Sequence, residues 1–491
     1  MKAAMAGVTM AAALAAASGP ALARDTLTLG LPLEPPFLDP TAGPASAIRE
    51  VTYANVFEGL TRVAPDGSVA PALAKSWTIS PDGLVYTFAL QSGVSFHDGT
   101  KFDCSIVRFS YDRAVAPGSM NAQKGLFAPI AETSCPAPDT AVVRLRQPAS
   151  TFLFNMAWGD AAMVAPGSAD TNKTNPIGTG PFRFKQWVKG DRVVLERFPG
   201  YWGPKPALAT VTFKVMGDPS AATAALLAGD LDAYPNFPAP EALDQFRTDP
   251  RFTVRIGTTE GKTILALNDA RKPFDDLRVR RALAYAIDRK QLSDAIMAGL
   301  APPIGSHYVP GDPGYVDLTG AYPYDPARAR ALLKEAGQEG LTLTITLPPP
   351  SYARRGGEVI AAMLAQVGVT AKLVPIEWAQ WLDQVFMKSA FDATIIAHTE
   401  ARDLDIYARP HYYFNYHSAA YDALYADYLK APDAQASLDL VGRLQRQLAA
   451  DEPNVFLLAL PKFGVWNSKL RGLWANDPVP ANDVTAVSWS D

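Results

Sequence analysis

Between residues 341 and 376 the spacing of apolar positions changes twice. Leu341, Leu343, Ile345 and Leu347 alternate with threonines, the period of a strand with one buried face. Residues 358–367 then place apolar side chains at helical spacing and stop at Gly368, and residues 369–376 return to strand. Strand, helix and strand in so short a span predict a right-handed crossover between parallel neighbours. Tyr86, Phe88 and Leu90 alternate after a turn at Pro81-Asp82-Gly83. Phe182-Arg183-Phe184-Lys185 alternates, turns at Lys189-Gly190-Asp191 and comes back over 192–197, which predicts a hairpin.

Further along, helices are predicted over 103–112, 223–231 and 438–450, and separate strands over 251–256, 263–267 and 455–460. One long helix is expected from Leu277, capped by Asp275 or Asp276 and stopped at Gly299. Another opens at Asp325-Pro326 and ends at Gly337. Strands alternating with helices make this an α/β chain.

At 491 residues the chain exceeds one core, so two or three domains are expected. A formal charge of −4 disfavours a nucleic-acid partner. Residues 1–23 read as an export leader: Lys2, an apolar run from Ala3 to Ala17, and Ala21-Leu22-Ala23 as the cleavage triplet. No later segment has the run of apolar residues that crosses a bilayer. The expected product is a soluble protein of the Gram-negative periplasm. In that compartment the two cysteines, Cys104 and Cys135, favour a disulfide over two separately buried thiols.

Enzyme signatures are missing: there is no G-x-S-x-G elbow, H-E-x-x-H, Walker loop or dinucleotide fingerprint. No catalytic residue and no cofactor is therefore assigned. His97, beside the turn His97-Asp98-Gly99, is read as a structural hydrogen-bonding residue.

Residues 175–206 hold a glycine loop (NPIGTGPF), the hairpin, and an aromatic turn at Tyr201-Trp202. Together with PALAKSW near residue 71 and DDLRVRRALAYAIDRKQL from Asp275, these segments resemble, in order, the extracellular solute-binding proteins of family 5. Those proteins serve ABC importers for oligopeptides, dipeptides and nickel. The resemblance implies a two-lobe periplasmic-binding-protein-like fold of type II, in the large cluster with an extra subdomain in the first lobe. By that analogy lobe I spans 24–260, with the extra subdomain at about 50–175. Lobe II spans 261–462, and 463–491 return to lobe I. The crossings are expected near 260–262 and 463–468. The partners implied are a peptide or small solute and the permease subunits of the inner membrane, with the chain acting as a monomer.

A charged solute end buried between lobes needs an opposite charge. Residues 393–397 read as a strand that empties into His398-Thr399-Glu400 and Asp403. By resemblance Glu400 is placed where peptide-binding relatives carry an acid for the ligand's ammonium. The glycine-tryptophan pair common before that acid is here Ala397-His398. Arg354 and Arg355 are the candidates for a ligand carboxylate. Tyr407 and Trp378 are candidate pocket walls, and Glu34, Phe37 and Gly180 candidate contacts from the first lobe. The alternative reading is a nickel or metal-chelate carrier using His398, Glu400, Asp403, His411 and His417.

Overall fold

The computed structural model describes residues 24–149, 151–400, 402–431 and 434–490. The predicted leader lies outside the described residues. A ten-stranded mixed sheet runs through the molecule. In spatial order its strands are Thr370–Pro375, Thr342–Leu347, Ala393–His398, Phe252–Leu267, Asn454–Asn467, Ala233–Tyr234, Thr26–Leu31, Thr210–Val215, Arg192–Arg197 and Phe182–Val188. The crossover is present: Thr342–Leu347 and Thr370–Pro375 pair in parallel around the helix Ser351–Gln366. Phe182–Val188 and Arg192–Arg197 form the antiparallel hairpin.

Three elements differ from the sequence reading. The strands expected at 251–256 and 263–267 are one strand, Phe252–Leu267, paired antiparallel with the equally long Asn454–Asn467. The register slips where Thr258 faces Pro461 and Lys262 faces Ala459, so three residues on one strand oppose one on the other. This bulge hid the continuity, because polar residues and glycine interrupt the period there. The helix expected from Leu277 to Gly299 is two, Leu277–Ala286 and Arg289–Met297, because Asp288 caps the second by accepting from the Gln291 amide. The helix expected at 358–367 begins at Ser351, which puts Arg354 and Arg355 on its first turns.

A separate four-stranded antiparallel sheet spans Ala74–Ile79, Val85–Leu90, Thr140–Leu145 and Ile130–Ala137. The helix Cys104–Val115 packs on it, and Cys104 and Cys135 are joined by a disulfide between helix and strand.

The glycine loop and the aromatic turn serve this architecture. A side chain at Gly178 would sit 1.9 Å from the Val56 carbonyl oxygen, and one at Gly180 2.5 Å from that of Asn55. His97 closes the loop from outside, with Nε2 2.9 Å from the Gly180 oxygen and Nδ1 accepting from the Gly178 amide. Burial pushes that imidazole down to about 4, so it stays neutral, as a structural role requires.

Glu58 gathers the rest of the motif. Its carboxylate accepts from the Thr179 hydroxyl at 2.8 Å, the Tyr201 hydroxyl at 3.0 Å and the Trp202 indole at 3.0 Å. Burial raises it to about 7 despite those three donors. A carboxyl raised in the folded state lends stability that is full below its unfolded pKa and lost as pH rises through the folded one. Between about pH 4.5 and 7, Glu58→Gln is therefore expected to remove roughly 2 kcal/mol of pH dependence, after allowance for partial exposure. Urea unfolding of both proteins across that range checks it.

Candidate functional site

The strand Ala393–His398 ends beside the bulge, with Lys262 in register with His398. The chain then turns through Thr399 and Glu400 to Asp403, and Lys262 holds that turn from below. Its ammonium donates to the Glu400 backbone oxygen at 2.5 Å and pairs with Asp403 Oδ1 at 2.7 Å. Lys262 is 1% exposed and Asp403 6%. Burial disfavours the Lys262 charge, but Asp403 and Glu260 outweigh it and raise its pKa.

Asp403 Oδ2 meets His307 Nε2 at 3.1 Å. Burial would raise the carboxyl, yet its contacts with His307 and the Lys262 ammonium prevail and hold it well below the carboxylate range. With Asp403 ionised, His307 carries its hydrogen on Nε2, and its Nδ1 accepts from the Tyr407 hydroxyl at 3.0 Å. His398 turns Nε2 to the Tyr413 hydroxyl at 2.9 Å and is held neutral, pushed down to about 3 chiefly by burial.

Above this base the Glu400 side chain reaches the first half of the chain. Its single hydrogen bond among the described residues is a long one, 3.5 Å from the Gln123 amide. Burial first, then the neighbouring Asp403, raises its pKa, while Arg49 and Lys262 oppose that rise. Asp160 contributes a second carboxylate to the same field. It pairs with Arg49 at 3.1 Å in almost complete burial and has one oxygen, Oδ1, without a partner. Burial raises Asp160 to about 6, and the charge of Glu400 adds to the rise. The two carboxylates thus come from opposite halves, and Arg49 opposes the rise of both. Beside them the Arg402 guanidinium lies 4.2 Å over the Phe154 ring, a further contact between the halves.

The remaining candidates are spread out. Arg354 pairs with Glu377 at 3.1 Å, and Arg355 donates to the Ala295 oxygen, with Glu241 at 4.0 Å. Trp378 is half-buried against Trp381. Phe37 lies under the Lys173 ammonium. Thr399 is half-buried beside Glu400.

Five candidate ligand contacts are engaged inside the fold, His398 among them through Tyr413. Tyr407 is 1% exposed and sits in an aromatic core. Glu34 accepts from the Trp187 indole and the Gly190 amide, which pins the hairpin turn. Gly180 is shut against Asn55, and Asp403 is spent on Lys262 and His307.

Sequence reasoning missed His307, Asp160, Arg49 and Gln123. Their partners are distant in sequence, so no local pattern marks them. Lys262 alone left a trace, as a charge at the start of an apolar strand.

Two halves of α/β structure on one sheet, crossed by a pair of bulged strands and facing each other through charged loops, define a two-lobed solute-binding protein. The chain belongs to the bacterial extracellular solute-binding proteins, family 5, whose middle-region model matches residues 68–421. It is 34% identical over 346 residues to the dipeptide-binding protein of Escherichia coli, a match spanning 64% of each chain and so just under two thirds of that relative's length. It is 32% identical over 372 residues to a glutathione-binding protein of Salmonella paratyphi A, covering 74% of this chain and 72% of the relative. Among solved structures, an ABC transporter-associated periplasmic binding protein from Helicobacter pylori in complex with the peptide STSA superposes with a TM-score of 0.85. That pair shares 25% identity over 96% of this chain and 99% of the other. A binding protein from A. tumefaciens in complex with agropinic acid gives the same TM-score at 24% identity, covering 95% and 99%. No helix among the described residues is long and apolar enough to cross a membrane.

Proposed function

We propose that this chain is the periplasmic substrate-binding component of an ABC importer, capturing a di- or oligopeptide or a similar amine-bearing compound between its lobes. The ligand is passed unchanged to permease subunits in the inner membrane, and the chain works as a monomer exported by cleavage after about Ala23. It is not an enzyme and needs no cofactor. The observation that carries the reading is Glu400, whose one side-chain hydrogen bond is long and crosses to Gln123 of the other half, with the Asp160 carboxylate acting on the same field. An ammonium on Glu400 would supply the charge it lacks, and it would bind better with the lobes closed than open. Peptide-binding relatives support the same ligand class.

The metal-chelate alternative drew on five residues around 398–417. Of these, His398 and Asp403 join His307 in a group of three potential ligands, and Glu400, His411 and His417 belong to no group of three among the described residues. Calorimetry with a dipeptide and with its N-acetylated form tests the proposal. Binding of the free amine and loss of binding on acetylation are expected; equal affinity for both would overturn the assignment.

A further inference from the structure

The group beneath the acidic loop has the make-up of a coordination site. His307, His398 and Asp403 each present one donor atom, these atoms lie within 4.8 Å of one another, and all three residues are buried. His307 Nε2 is 3.1 Å and His398 Nδ1 3.8 Å from the same carboxylate oxygen, Asp403 Oδ2. Ligands about 2.0–2.1 Å from a tetrahedral zinc stand roughly 3.4 Å apart, and the two observed spacings bracket that value. We infer that His307, His398 and Asp403 form a site for a divalent ion of the zinc type, resident in the second lobe and separate from the transported solute.

Three further observations support it. Each imidazole has its outward nitrogen fixed by a tyrosine hydroxyl, Tyr407 for His307 and Tyr413 for His398. Metal-binding histidines are oriented in this way, by a hydrogen bond on the nitrogen that does not ligate. Two imidazoles with one carboxylate suit zinc and its neighbours rather than calcium or magnesium.

Lys262 holds Oδ1 of Asp403 and leaves Oδ2 facing the rings. Binding requires the hydrogen of His307 to move from Nε2 to Nδ1, where it is donated to the Tyr407 oxygen. No proton need leave the imidazole.

The inference is independent of the peptide reading. Full chain stripped with a chelator is titrated with zinc alone in a calorimeter, and one equivalent is expected to bind. His307→Gln is expected to abolish that binding, and Tyr407→Phe to weaken it roughly 10- to 100-fold. Cobalt in place of zinc should give a visible absorption band that His307→Gln removes. Should His307→Gln fail to fold, the Tyr407→Phe comparison and the wild-type titration decide. No zinc uptake by the stripped wild type, or uptake unchanged in either variant, overturns the site.

Discussion

Asp403→Ala is expected to lower the folding free energy by about 3–5 kcal/mol, read by denaturant unfolding near pH 7 in chelator-treated buffer. The change leaves Lys262, 1% exposed, without its carboxylate partner. It also removes the acceptor that fixes His307, and through His307 the Tyr407 hydroxyl. An unpaired buried ammonium either stays charged at that cost or gives up its proton. Making both ends apolar, as in Lys262→Met with Asp403→Leu, should recover much of the loss, because a buried pair yields little net stability over well-packed apolar groups.

The pH dependence has a definite sign. Asp403 is depressed in the folded state, so its contribution is present above the unfolded carboxyl pKa of about 4 and lost as pH falls below it. Wild type should lose stability in acid more steeply than the apolar double variant. A wild type no steeper than the double variant would contradict the charge assignment.

Glu400→Gln is expected to weaken binding of a free-amine peptide by about 2–5 kcal/mol, which appears chiefly as faster release. The magnitude follows from the water that lobe closure over the half-buried Glu400 would remove. Glu400 has one long hydrogen bond of its own, so a ligand ammonium would be its main charged partner in the closed state. The same change should leave folding stability near wild type or slightly higher, because it removes a carboxylate raised by burial and by Asp403. That split separates a ligand contact from a structural one: Asp403→Ala costs stability, whereas Glu400→Gln costs affinity. Calorimetry paired with thermal melts reads both.

Local patterns gave the crossover around Thr342–Leu347 and Thr370–Pro375, the hairpin at 182–197 and the caps at Asp276 and Asp325, because each depends on neighbours in sequence. The helix starting at Ser351 was hidden by Gly356 and Gly357, which have poor helix propensity. Gly357 is nevertheless kept there because it packs against Leu347. The strand Phe252–Leu267 was hidden by its own bulge.

The site was less legible than the fold. A loop of polar residues after a strand pointed to 398–403, but burial decides what each residue does. Tyr407 and Glu34 have the chemistry of ligand contacts and are used by the core and the hairpin. His307 comes from 91 residues before His398, and only the folded sheet brings the two rings to 5.2 Å.

The central claim is that the lobes close on an amine-bearing guest and release it unaltered. Native mass spectrometry of wild type and Glu400→Gln, incubated with a mixed dipeptide library and then washed, tests it most directly. The account predicts intact dipeptide mass retained by wild type and greatly reduced in the variant. Empty wild-type protein, hydrolysed fragments, or equal retention by both would contradict it.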